Sequence, residues 1–228
     1  MGANRTTDTF TTPVSANQFR LGINGLYSTK EQMHEVDGLD SLEFSLEGTV
    51  QEYFTTLNGY NNADKTAIKG SFSFSGKRVV GDKANDFIAR TGWYLGKKAK
   101  TIFDYTFDDG SVIEGKILVN TSKISGGAAE DLNALEGEFI IDGKPNVKQL
   151  VNIEVTKGTT SYTVGTAIDI SDVKVMATYS DGTTADVSNK AVVYENGIDI
   201  LTAGSYEMPV EYANYNQVIT IEVTEVAG

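Results

Sequence analysis

The stretch from Ser71 to Asn120 constrains this chain more than any other, because it reads as strand, turn, helix and hairpin in immediate succession. Ser71-Phe72-Ser73-Phe74-Ser75 alternates strictly, which puts Phe72 and Phe74 on one face of a strand and the serines on the other. Gly76-Lys77-Arg78 breaks the strand, and Asp82 is placed to cap a helix, its carboxylate accepting from an orphan amide of the first turn. Ala84, Phe87, Ile88, Thr91 and Leu95 follow at helical spacing, with Gly96 as an αL stop and Lys97 and Lys98 at the negative end of the dipole. Phe103, Tyr105 and Phe107 then alternate with polar residues, Asp108-Asp109-Gly110 turns the chain, and Val112 to Val119 returns. The pattern predicts one helix packed on an antiparallel sheet.

Upstream, Phe19 to Ile23 reads as a first strand, and Ser28 to Val36 reads equally as a capped helical turn, a loop or a short strand. Leu42, Phe44 and Leu46 alternate with Glu43, Ser45 and Glu47. Gly48 to Lys69 shows neither period and reads as a long loop, although it carries Tyr53, Phe54, Leu57 and Tyr60, more apolar surface than a free loop exposes. It reads as a segment awaiting a partner. Leu135 to Asp142 is a further strand, and Asp142-Gly143-Lys144-Pro145 is turn chemistry strong enough to mark a domain boundary.

Chemistry is sparse. His34 is the single histidine, so neither a histidine metal pair nor a Ser-His-Asp triad can form within one chain. Absence of cysteine excludes disulfides and thiolate sites. Asp104, Asp108, Asp109 and Glu114 gather near one turn without the spacing of a calcium loop. Gly76 to Gly81 lacks the Lys-Ser/Thr of a phosphate loop. Lys77, Arg78, Lys97, Lys98 and Lys100 read as paired or solvated cations rather than a nucleic-acid patch, and Trp93 as a packing residue. No catalytic residue, cofactor or metal site is expected. No apolar run approaches the ~20 residues of a membrane span, and the threonine-rich start has no signal-peptide h-region.

The run Ser73, Gly76-Lys77-Arg78, Gly81-Asp82, Asn85-Asp86, then the aromatic strand with Asp109-Gly110, resembles the major tail tube proteins of long-tailed, lambda-like phages. Gly126-Gly127 and Asp142-Gly143-Lys144-Pro145 fit the same pattern, so the resemblance covers roughly residues 19–145. It implies a sandwich- or barrel-like tail tube domain over 1–148, with 1–18 as an N-terminal arm and 48–69 as an inter-subunit loop. The resemblance also implies a subunit of hexameric rings stacked into a tube, assembled in the host cytoplasm into a virion. Its partners are itself and the tape measure, tail terminator and distal tail proteins. Tyr53, Phe54, Leu57 and Tyr60 become the expected inter-subunit anchors, in a segment ordered only between subunits. DNA would cross the lumen during ejection without specific binding, past a bore supplied by polar strand faces such as Glu43, Glu47, Glu136 and Glu138.

From 149 onward the texture changes. Seven short alternating segments appear: 150–156, 161–164, 173–179, 183–187, 191–194, 206–212 and 217–224. Tyr179-Ser180-Asp181-Gly182-Thr183, Ala203-Gly204-Ser205-Tyr206 and Val218 to Val223 resemble bacterial Ig-like repeats. That implies an Ig-like β-sandwich over 149–228, decorating the outside of a tube. Charge divides with it: residues 1–148 carry 16 Lys+Arg against 20 Asp+Glu, net −4, and 149–228 carry 3 against 11, net −8. An acidic domain repels nucleic acid and anionic membranes. Two rival readings stay open: a surface adhesin whose Ig-like domain meets a host cell, and a distal-tail or baseplate subunit of the same fold.

Overall fold

The structure, a computed structural model, describes residues 19–54, 59–125, 133–195 and 197–225. The expected arm (1–18), Leu57 and Gly126-Gly127 lie outside the described residues. The chain is mainly β, with antiparallel sheets and, among the described residues, one α-helix. Its described residues divide into two units: 19–106 with Ile113–Asn146, and Phe107–Val112 with 147–225. Among the described residues no helix is long and apolar enough to cross a membrane.

In the first unit the strands are β1 (Phe19–Gly22), β2 (Met33–Glu35), β3 (Leu39–Phe54), β4 (Asn61–Lys77), β5 (Lys100–Thr106), β6 (Val112–Lys123) and β7 (Ala134–Ile141). They run in the order β2-β1-β5-β6-β7-β4-β3, and β8 (Asn146–Lys148) pairs with β6 off this path. Alternation decides the faces. Phe72 lies opposite Phe44 and Phe139, and Phe139 opposite Val119, so one face is apolar across four strands. Phe19, Phe72, Phe103 and Phe139 are fully buried there, with ring centroids 4.8 Å apart for Phe19–Phe139 and 5.2 Å for Phe19–Phe72. Each such side chain contributes about 2–3 kcal/mol by burial.

The helix α1 (Lys83–Thr91) covers that apolar face: the Thr121 hydroxyl donates to the Ile88 carbonyl at 2.8 Å. Asp82 is its N-cap, accepting from the Asn85 amide at 2.7 Å. The expected stripe holds for Ala84, Phe87, Ile88 and Thr91, all buried, and fails for Leu95. The helix ends at Thr91 and Gly92 caps it, so Leu95 falls beyond the last turn and is 89% exposed. Trp93, expected to pack, is exposed as well. Between Ser28 and Val36 the chain forms a 3-10 turn, Lys30–Gln32, and then β2; Thr29, not Ser28, is the N-cap residue.

The largest departure from the sequence reading is Gly48 to Lys69, expected as a loop. From Gly48 to Phe54 and from Asn61 to Lys69 it is strand: β3 and β4 pair from Leu39↔Gly76 to Phe54↔Asn61, with irregularities at Leu39/Ser41 and Thr49/Val50. β4 pairs with β7 only from Ser71 to Lys77, so beyond Gly70 a two-stranded ribbon continues alone. Nine residues of β3 at ~3.3 Å each carry it about 30 Å past the sheet.

In the second unit all seven expected segments are strands: β9 (Leu150–Lys157), β10 (Ser161–Thr163), β11 (Val173–Tyr179), β12 (Thr184–Asp186), β13 (Val192–Val193), β14 (Gly204–Tyr212) and β15 (Tyr215–Thr224). They form two sheets, β10-β15-β14-β13 and β12-β11-β9. Ile153, Val175, Met208, Val210 and Ile221 fill the space between them. The Lys157 side chain is wholly buried, yet its ammonium is satisfied by the Asp172 carboxylate and the Asp169 carbonyl, 5.6 Å above the Tyr162 ring.

Candidate functional site: the projecting ribbon and the polar sheet face

On β3 the residues Leu46, Val50 and Phe54 recur every fourth position, so their side chains leave the same face. Ile68 joins them, lying across from Gly48 in the ladder. All four are exposed, Phe54 to 76%, as are Tyr53 and Tyr60 near the turn. Leu46, Val50, Phe54 and Ile68 make a row of exposed apolar side chains on one face of the ribbon, with Lys65 across from Val50 among them. Of the four expected anchors, Tyr53, Phe54 and Tyr60 lie at the ribbon's far end, with Tyr53 on the face opposite Phe54. Sequence reasoning missed Leu46, Val50 and Ile68. The four-residue spacing from Leu46 to Phe54 was the available signal.

The sheet face opposite the helix is polar. Register aligns Glu43, Ser73, Glu138 and Asn120 in one row, and Ser41, Ser75 and Glu136 in the next. Glu47 lies opposite Lys69 two positions further along β3 from Ser45, whose hydroxyl is 3.2 Å from that of Ser71. The structure therefore brings Glu43, Glu47, Glu136 and Glu138 onto one face. Two lysines accompany them and are paired, Lys123 with Glu136 at 2.9 Å and Lys69 with Glu138 at 3.5 Å.

The expected acidic gathering near the β5–β6 turn disperses instead. Asp104 is buried and takes both arms of Arg20 across the β1–β5 ladder, the Nε donating at 2.9 Å. Glu114 pairs with Lys30 at 2.7 Å, and Asp109 accepts from the Ser111 amide at 2.8 Å. Neighbours in sequence face opposite sides of a strand, so closeness along the chain does not become a cluster.

The glycines and acids that carry the sequence resemblance have a local role. A Cβ on Gly76 would sit 2.2 Å from the Gly38 carbonyl oxygen, and Gly81 has φ +101°. Between them, Arg78 donates to Val79 O, Asn85 Oδ1 and Asp86, whose carboxyl the guanidinium holds below its ordinary pKa. These residues tie β4 to α1.

No curated protein matches the chain. Among solved structures, a chain of the virion of a native gene transfer agent particle is similar at 14% identity and TM-score 0.44, over 59% of this chain and 98% of that one. Another, from the tail of an empty gene transfer agent particle in C6 symmetry, is similar at 17% identity and TM-score 0.45, over 57% and 94%. The model of the bacterial Ig-like domain (group 3) family matches residues 154–223, which accounts for the second unit's sandwich.

Proposed function

We propose that this chain is a structural subunit of a phage-like tail, a self-assembling tube protein that does no catalysis. The observation that carries the reading is the ribbon: an ordered two-stranded element whose apolar residues are exposed in the isolated chain. Because the ladder biases its backbone toward one conformation, docking it costs less ordering entropy than docking a free loop. Each apolar side chain it buries against a neighbour contributes on the order of 2 kcal/mol before the remaining costs. A ribbon meeting a different surface on the next copy is a heterologous contact, which generates closed rings or open stacks.

The polar face supplies the second half of the reading. A DNA conduit must not hold phosphates, because each phosphate neutralised by a free lysine or arginine releases counterions and favours retention. Glu43, Glu47, Glu136 and Glu138 with the serine rows form such a face, and the two lysines beside them, Lys69 and Lys123, are paired with glutamates. In this reading that face lines the bore, DNA passes unbound, and the Ig-like unit decorates the exterior. Negative-stain microscopy of the full chain across a concentration series tests it. Rings or stacked tubes are expected; monomers at every concentration count against it.

A further inference from the structure

The polar face of the sheet does not stop where the ribbon leaves it. Glu43, Ser45 and Glu47 occupy alternate positions on β3, and Thr49, Gln51 and Tyr53 continue the same alternation outward. Across the ladder, Lys69 lies opposite Glu47, Ala67 opposite Thr49, Asp64 opposite Gln51 and Asn62 opposite Tyr53. One side of the ribbon therefore prolongs the face of glutamates and serines. The other, with Leu46, Val50 and Phe54, prolongs the face that carries Phe44 and Phe72. A register irregularity decides where the ribbon's cations fall. Between Thr49 and Val50 the pairing skips Thr66, whose hydroxyl donates to the Thr49 carbonyl at 3.2 Å. In an unbroken ladder Lys65 would lie opposite Gln51 on the polar side. The extra residue instead places it opposite Val50, with its side chain against Gly48. Lys69 stays on the polar side and is paired with Glu138 at 3.5 Å. Beyond Lys69, the described residues of that side offer hydroxyls, amides and the Asp64 carboxylate, and no cation.

We infer that the polar side of the ribbon is part of the bore wall, an inference that rests on the proposed function and extends its DNA-facing surface to Thr49, Gln51, Tyr53, Asn62 and Asp64. Hydroxyl and amide groups let a phosphate backbone slide past, whereas a lysine repeated from copy to copy would pair with phosphates, release their counterions and hold the strand. The bulge at Thr66 is the device that keeps Lys65 off this surface. A ribbon reaching about 30 Å past the sheet carries the same surface beyond its own copy, so the wall stays continuous in chemistry where one copy gives way to the next. The side with Lys65 and the apolar row is turned away from the DNA.

Val50 and Gln51 are adjacent and face opposite sides, so the pair reads the orientation directly. The chain has no cysteine, so Val50→Cys and Gln51→Cys in the full-length protein each introduce a single thiol. In assembled tubes the Gln51→Cys thiol is expected to react with N-ethylmaleimide about as fast as in the unassembled subunit, and to resist a polyethylene-glycol maleimide too large to enter the bore. The Val50→Cys thiol is expected to react with the small reagent several-fold more slowly on assembly. Where either protein fails to assemble, Glu52→Cys and Thr49→Cys report the same two sides. Gln51→Cys labelled by both reagents would put the polar side on the exterior, and protection from both would put it in a contact between copies. Val50→Cys labelled as fast as Gln51→Cys would leave the ribbon free rather than in a wall. Each of these three results overturns the inference and leaves the proposed function standing. Failure of the unsubstituted chain to form tubes overturns both.

Discussion

Asn85 is fully buried, and its side chain is satisfied on every side. Oδ1 accepts from Arg78 Nη1 at 2.8 Å and the Val79 amide at 3.1 Å; Nδ2 donates to the carbonyls of Asp37 and Lys77, both at 2.9 Å. Asn85→Ala strands those partners away from water and is expected to cost about 3 kcal/mol. A lower urea midpoint with an unchanged slope is the measurement. Asp181 gives a pH prediction in the other unit. Its carboxyl is lowered to about 2, first by the Thr183 hydroxyl, then by the Thr183 amide, with Lys148 adding to both. The unfolded carboxyl titrates near 3.9. Its contribution is therefore complete above about pH 4 and lost as pH falls through about 2. Asp169, Asp186 and Asp199 are lowered by similar turns onto Ser171, Ser188 and Leu201 with Thr202. Acid titration followed by near-ultraviolet circular dichroism should show the Ig-like unit loosening across this window, and Asp181→Asn should flatten the slope there.

At the scale of elements, the ribbon and the core strands of the same sheet should part company in hydrogen exchange. Beyond Gly70 each ribbon strand has one neighbour and both faces in water, an arrangement that is marginal alone. Its amides are expected to exchange fast in the unassembled chain and to become protected on assembly, while Phe72 and Phe139 stay protected throughout. Equal protection in both states would remove the ribbon from the contact. The same physics explains what the sequence made legible. The seven Ig-like strands were readable because each buries one face, which enforces alternation, and Asp-Gly and Asx turns punctuate them. β3 and β4 were readable only up to the point where they leave the sheet. Past it no buried face imposes a period, so Gly48 to Lys69 looked patternless while forming a regular ladder. The four glutamates could be assigned to one face because their strands alternate. Trp93 and Leu95 misled for a different reason: Leu95 continues the helical spacing by coincidence, and Gly92 ends the helix first.

At the scale of the molecule, the chain's two units interleave in sequence, and that decides what truncation should do. The aromatic core of the first unit, Phe19, Phe72, Phe103 and Phe139, comes entirely from residues before Asp142. The tip of the β5–β6 hairpin does not belong with it: Phe107–Val112 groups with the Ig-like unit, and a Cβ on Gly110 would meet Leu150 and Tyr212. Val112 packs against the Ig-like core as well. A chain ending at Lys144 keeps β1 to β7, α1 and the ribbon, but loses the short strand β8 from β6 and returns that hairpin tip to water. It should fold with the remaining strand content intact and lose about 1–2 kcal/mol, the worth of one apolar side chain re-exposed. It also sheds the more acidic part of the chain, 11 Asp+Glu against 3 Lys+Arg after residue 148, which lowers self-repulsion between copies. The expected result in negative stain is assembly at a lower protein concentration into tubes of smaller outer diameter and unchanged bore. A truncated chain that folds yet forms no tubes would put the Ig-like unit in the contact between copies, and the decoration reading would have to be abandoned.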